Sequence, residues 1–431
     1  MKFSTQTLRK IQNLLAEEFT QHIGKEAITS DEIEQALRKG LQEVGQASFG
    51  EMLTLLDESS YQIEERCECQ QLGKRVSRRE AQLLSVFGRA KYKRSYYQCS
   101  GCAQRWIPLD ESQQLRPGRA TQMMSGLLGI AGVTVAFEEA RHQIQRYLQV
   151  EVSANTIRQE TQLLGERQAQ QERSWVENSQ DLAYLQQREQ MLERPKQVYG
   201  SMDGAFVPIE QEWKEAKLIS WYQVAKRYGR EELHAQEIHY YPSLEEAASF
   251  GELVWATGVH HQADRAQELI FVCDGAAWIW KLVDQYFPEA VQIVDWYHAC
   301  QYLYPVVEVL FEREDQQHAW ITEMKTLLWE GEVEAVVRAT QEVLAAVGPP
   351  ALRLITYYQN NMERMRYARF RQANYFIGSG TVESGCKQVV SMRLKRSGAT
   401  WSLAGASATA KARAAWLAGS WDTLLQLPLA V

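Results

Sequence analysis

The chain has 431 residues, 45% of them hydrophobic, which is enough for a real core and for roughly three domains. It contains no run of about eighteen apolar residues, so a membrane span is not expected. The opening MKFSTQTLRKIQNLLAEEF reads as an amphipathic helix without an apolar secretory core. A net charge of −7 argues, taken alone, against a nucleic-acid partner.

Residues 1–60 read as helical, with Ser30 placed to cap EIEQALRKGLQEV. Residues 61–119 are different. Between Arg66 and Arg119, twelve lysines and arginines stand against four acids, Glu68, Glu80, Asp110 and Glu111, so a basic block lies within an acidic chain. This block holds Cys67-Glu-Cys69 and Cys99-Ser-Gly-Cys102 on either side of a hairpin-like run in which Val86, Phe87, Tyr92 and Tyr96 are the β-formers. Seven cysteines, an odd number mostly clustered here, fit reduced thiols in a cytosolic protein rather than a disulfide framework. Four thiolates on two knuckles suit Zn²⁺, and a tyrosine-rich basic hairpin with little apolar content needs such a staple. The Cys67-x-Cys69 knuckle is one residue tighter than usual. Arg116-Pro117-Gly118 is a turn that ends the unit.

Residues 120–190 return to helix. TVAFEEARHQIQRYL, a short QVEV connection and SANTIRQETQLLGERQAQQ, capped by Ser153, make a helix-turn-helix pattern. Asn155, Thr156, Arg158 and Gln159 would stand at the exposed start of its second helix. A plain helical bundle carries the same pattern.

From residue 191 the character is α/β. KQVYGSMDGAF, AKLISWYQVAK and ELHAQEIHYY read as a meander of three strands. ELIFVCDGA and AVQIVDWYHA are apolar strands separated by the helix AAWIWKLVDQYF, which implies a parallel pair covered on both faces. Carboxyl ends of such strands line the functional crevice, so Asp274 and Asp295 are expected there. The span 305–373 is helical, and 374–431 closes the core with a basic helix, TVESGCKQVVSMRLKR.

Three acids stand out. Asp203 and Asp274 interrupt or close buried strand-like runs, and Glu383 opens the basic helix. Either Asp-Gly pair could be no more than a turn, but carboxylates at the ends of buried strands are costly unless cations neutralise them. Lys387, Arg393, Lys395 and Arg396 follow Glu383 and suit phosphate contacts, with Trp401 beside them for stacking on unpaired bases. Gly378-Ser-Gly380-Thr-Val-Glu383 lacks the preceding strand and third glycine of a phosphate loop, so a nucleotide-binding enzyme ranks last.

The order Asp203, Asp274, Glu383, the motif Asp295-Trp-Tyr-His298, and the closing GSGTVESGCKQVVSMRLKRSGATW resemble a DDE transposase of the Kra-type bacterial insertion-sequence family, over essentially the whole chain. The resemblance implies an RNase H-like core whose first strand carries Asp203 and whose neighbouring fourth strand carries Asp274. An all-helical insertion would separate the fifth strand from the helix bearing Glu383. It also implies catalysis by Asp203, Asp274 and Glu383 holding two Mg²⁺ or Mn²⁺, with Asp295 and His298 supporting them. Double-stranded DNA, as transposon ends and target, would be the partner of a homodimer in the bacterial cytoplasm, near the nucleoid. Asn155, Arg158 and Gln159 would read base edges. The competing expectations are a domesticated, non-catalytic DNA-binding descendant and a structure-selective RNase H-type nuclease.

Overall fold

The structure, a computed structural model, describes residues 29–191, 193–226, 233–378 and 380–427, with Arg9, Gln12, Asn13 and Ala16 before them. The amphipathic helix expected at the start lies largely outside the described residues. The chain is mixed α/β with two sheets and divides into two units, Met1–Thr161 and Gln162–Val431. Among the described residues no helix is long and apolar enough to cross a membrane.

In the first unit, helix α1 (Ser30–Ser60) is capped by Thr29 rather than Ser30. The reason is a reciprocal box: Thr29 Oγ1 accepts from the Glu32 N–H at 3.3 Å, and Glu32 Oε2 accepts from the Thr29 N–H at 2.9 Å. Strands β1 (Glu64–Arg66), β2 (Leu72–Ser85), β3 (Gly88–Cys99) and β4 (Arg105–Trp106) then form an antiparallel sheet in chain order. The expected hairpin is present, and because Ser85 pairs with Gly88 the β-formers Val86 and Phe87 make its two-residue turn. Leu53 of α1 packs with Leu83, Tyr92 and Leu109 on one side of this sheet. Asp57 is fully buried there, and its carboxylate accepts from the N–H and hydroxyl of Ser95 at 2.9 and 2.7 Å, with Arg78 at 3.5 Å. Those donors offset the cost of burying its charge.

Helices α2 (Gln122–Thr134) and α3 (Phe137–Leu148) and the beginning of α4 (Ala154–Ser179) surround a second apolar cluster containing Leu128, Ile144, Val152 and Ile157. Residues 149–153 join α3 to α4. Gln149 turns the chain with φ +54°, and Ser153 Oγ accepts from the Thr156 N–H at 3.0 Å, the expected cap.

The second unit is built on a five-stranded sheet. β5 (Gln197–Ile209), β6 (Glu212–Lys226) and β7 (Leu233–Ser243) are the antiparallel meander, β8 (Glu268–Cys273) runs parallel to β5, and β9 (Val291–Val294) runs parallel to β8. The spatial order is β7-β6-β5-β8-β9. The crossover helices are α5 (Ala247–His260) and α6 (Ala277–Tyr286), and both contribute buried apolar residues to the core beside the strands. Trp221 of β6 donates its indole N–H to Thr257 of α5 at 2.9 Å, so a large buried ring keeps its polar atom satisfied.

After β9 come α7 (Trp296–Gln301) and a mostly helical stretch that includes α8 (Pro349–Asn361) and α9 (Tyr367–Gln372). Leu328, Val336, Leu354 and Tyr358 belong to the same apolar core as the strands, so this insertion is packed into the sheet's core and is not a separate body. Helix α10 (Gly380–Gly385) continues through a π turn, Cys386–Ser391, into Met392–Leu394. The alanine-rich α11 (Leu403–Leu417) closes the unit. A Cβ on Gly165 would lie 1.8 Å from the Ala408 carbonyl oxygen, a backbone approach that only glycine permits.

Candidate active site

Register brings the acids together. Gly200 of β5 pairs with Phe271 of β8, and Cys273 of β8 pairs with Val294 of β9. Carried forward, those registers set Asp203 level with Asp274, and Asp274 level with Asp295. Two contacts extend the pairing toward these positions: Met202 N–H donates to Cys273 Sγ at 3.3 Å, and Asp295 N–H to the Cys273 carbonyl at 2.8 Å. Neighbouring strands lie about 4.8 Å apart, so three carboxylates share one edge of the sheet.

Each acid is oriented locally. Asp203 Oδ1 accepts from the Gly204 N–H at 2.7 Å, Asp274 Oδ1 from the Ala276 N–H at 2.9 Å, and Asp295 Oδ1 from the His298 N–H at 2.7 Å, which caps α7. Burial pushes the Asp203 carboxyl up; bonds from Gly204 and the Cys386 thiol oppose that, while the charge of Asp274 adds to it. Asp295 is fully buried.

The helical insertion fixes the backbone under these acids. Tyr357 donates its hydroxyl to the Asp274 carbonyl at 2.5 Å, Tyr367 to the Val294 carbonyl at 2.9 Å and Tyr358 to the Ala299 carbonyl at 2.9 Å. Tyr302 stacks on Tyr357 with ring centres 3.9 Å apart. Gly275 turns the chain away from Asp274 with φ +89°, and a Cβ there would lie 2.5 Å from the Tyr357 hydroxyl.

Glu383 arrives from α10, its side chain 47% exposed. Its Oε1 lies 3.2 Å from His298 Nδ1, which in turn lies 3.3 Å from Asp295 Oδ1. The donor atoms of Asp295, His298 and Glu383 all fall within 4.8 Å of one another, close enough to hold a metal ion. The Asp295 carboxylate raises the His298 imidazole above its ordinary range, with Glu383 and Asp274 adding to it against burial. His298 therefore stands between the Asp295 carboxylate at the sheet edge and Glu383 of α10.

Cys386 is the residue that sequence reasoning missed. The sequence places it among the apolar positions of its helix, and it is indeed buried, but it lies close enough to Asp203 for the two groups to shift each other's titration. Its only signal in sequence is its spacing three residues after Glu383, one turn along the same helix.

The basic helix divides in two. Lys387 and Lys395 are exposed and Arg396 is half-buried. Arg393 and Trp401, expected on a DNA-facing surface, are instead 3% and 6% exposed. The Arg393 guanidinium lies 4.9 Å from the centre of the Trp401 ring, and the indole N–H donates to the Leu394 carbonyl at 3.1 Å. The Trp401 carbonyl also accepts from the Glu210 N–H at 2.8 Å, beside a bridge to Ile209. Burying a large ring with its N–H satisfied outweighs leaving it on the surface. Trp280 is buried, and Trp296 packs edge-on against Trp329 and Tyr367, so these rings too are core.

In the first unit, the exposed Asn155 and Arg158 bond to each other at 2.6 Å, and Gln159 Oε1 accepts from Arg119 at 3.0 Å. The four clustered thiols converge. Cys67 and Cys102 Sγ are 3.6 Å apart and Cys69 and Cys99 Sγ 3.5 Å apart, with all four atoms within 4.8 Å. Tetrahedral thiolates bound at about 2.3 Å would stand about 3.8 Å apart, so the set fits one ion. The tight Cys67-x-Cys69 knuckle is accommodated because Gln70 turns at φ +68°, matched by Ala103 at φ +59° after the other pair. The N–H groups of Cys102 and Gly101 point at Cys99 Sγ and lower its thiol to about 6.

No curated protein matches this sequence. Residues 23–423 match the Uncharacterised protein family (UPF0236), and over that span the chain belongs to this family.

Proposed function

We propose that this protein is a DDE transposase of a bacterial insertion sequence, with an RNase H-like core that cleaves and joins DNA at the ends of its element. The observation that supports this reading is the level placement of Asp203 and Asp274 on adjacent parallel strands, with Glu383 of the closing helix 3.2 Å from His298, whose imidazole also feels the Asp274 charge. The first and fourth strands of the sheet are direct neighbours, as the transposase reading requires. Asp203, Asp274 and Glu383 offer hard oxygen donors, the set that Mg²⁺ or Mn²⁺ takes. When bound, a pair of such ions would polarise the phosphodiester and assist both the attacking and the departing oxygen.

The chain's own groups have definable tasks. Hydrogen bonds from Gly204 and Ala276 aim Asp203 and Asp274 before any ion arrives, which lowers the ordering cost of binding one. The exposed Lys387 and Lys395 would hold phosphates flanking the scissile one. The four-thiol cluster would take Zn²⁺ and stiffen a basic sheet, and α3–α4 would present Asn155, Arg158 and Gln159 to base edges. Both ends of the element must be held at once, so a dimer on DNA is expected.

The test is a Mg²⁺-dependent nicking and strand-transfer assay on duplexes carrying the inverted repeats that flank the gene. Wild type should cut and join these ends, and Asp274→Ala should bind them without cutting. Nicking by Asp274→Ala would overturn the catalytic assignment. End binding without cleavage by the wild type would instead favour the domesticated, non-catalytic reading.

A further inference from the structure

We infer that Asp295, His298 and Glu383 form a divalent-cation site with a nitrogen ligand, selective for Mn²⁺ over Mg²⁺. This deepens the reading above by giving one cation position in the crevice a donor set unlike that of Asp203 and Asp274.

Distances carry the first part of the argument. His298 Nδ1 stands 3.3 Å from Asp295 Oδ1 and 3.2 Å from Glu383 Oε1. Ligands bound at about 2.1 Å lie about 3.0 Å apart at right angles and about 3.4 Å apart in a tetrahedron. Both separations fall between those limits. Direction carries the second. Nδ1 is shielded from solvent and close to two carboxylate oxygens, yet it makes no hydrogen bond of acceptable geometry to either. A nitrogen held within 3.3 Å of two oxygens and hydrogen-bonded to neither fits convergence on a common ion; an imidazole serving only as an ion-pair partner would turn its N–H onto one of them.

The scaffold behind the set is rigid. Asp295 is fully buried at the cap of α7, and the neighbouring Trp296 N–H donates to the Ile377 carbonyl at 3.1 Å. Tyr367 and Tyr358 bond to the carbonyls of Val294 and Ala299, one residue outside each end of the segment from Asp295 to His298. Glu383, half exposed on α10, completes the set from the other side. Donor chemistry then decides the ion. Carboxylates alone accept Mg²⁺ and Mn²⁺ comparably, whereas an imidazole nitrogen is a softer donor that a transition ion such as Mn²⁺ accepts more readily than Mg²⁺, which keeps to oxygen.

The test uses the full-length protein and Mn²⁺ alone, without DNA. Pulsed electron paramagnetic resonance should show the modulation of a directly bound ¹⁴N in the wild type. His298→Gln should lose that signal and weaken Mn²⁺ binding at least about tenfold, with Mg²⁺ binding much less affected. A wild-type spectrum without ¹⁴N coupling, or coupling that persists in His298→Gln, would overturn the site. Circular dichroism identifies a variant that has failed to fold, and the wild-type spectrum remains decisive in that case. Because no DNA is present, failure of the transposase reading would appear in the cleavage assay and leave this result standing.

Discussion

Replacing Asp203 by Asn tests whether the sheet edge is built to hold cations. In the absence of metal, Asp203 and Asp274 are like charges on neighbouring strands, about 4.8 Å apart by strand spacing. Their repulsion is about 1 kcal/mol in the limit of water and about 3 kcal/mol at an effective dielectric of 20. Asn keeps the oxygen that accepts from the Gly204 N–H and removes the charge. Without added divalent ions, Asp203→Asn should therefore be more stable than the wild type, by a few degrees in thermal denaturation at roughly 2–4 °C per kcal/mol. Burial raises the Asp203 carboxyl, so protonation favours the folded state. That stabilisation is complete below the unfolded carboxylate range and is lost as pH rises through the folded value. The advantage of the variant should accordingly shrink as pH is lowered toward about 4. Added Mg²⁺ should raise the melting temperature of the wild type and leave the variant nearly unmoved. A variant less stable than wild type without metal, or one stabilised equally by Mg²⁺, would refute the reasoning.

Two further outcomes follow from contacts around the sites. Tyr357→Phe keeps the stack on Tyr302 but strands the Asp274 carbonyl, so it should cost about 1–3 kcal/mol in denaturant unfolding and weaken Mg²⁺ binding; unchanged metal affinity would detach the insertion from the site. Cys99→Ser removes the thiol most readily ionised and should abolish the zinc measured by atomic emission in reduced protein, with loss of sheet signal from the first unit. One zinc per chain in that variant would exclude the four-thiol assignment.

What could be read from the sequence was local. The apolar runs ending at Asp274 and Asp295 announced parallel strands with acids at their carboxyl ends, since strands buried on both faces need continuous apolar residues. The meander, the crossover helices, the hairpin between the cysteine pairs and the Ser153 cap were legible for the same reason: short-period patterns and turn chemistry depend on near neighbours. The position of the hairpin's turn was not legible, because a two-residue turn can be occupied by β-formers when the strands beyond it set the register, as at Val86 and Phe87.

Tertiary structure alone decided which distant residues share a site. The β5–β8 register, unrelated to any local pattern, sets Asp203 beside Asp274 and leaves Asp295 next along the edge. Only folding sets His298 against Glu383, brings Cys386 beside Asp203 and draws Arg393 and Trp401 out of water. Sequence periodicity tells which face of a helix is apolar; whether a cation or a ring at the border of that face is covered depends on what packs against it. That is a property of the whole chain, decided by contacts between residues far apart along it.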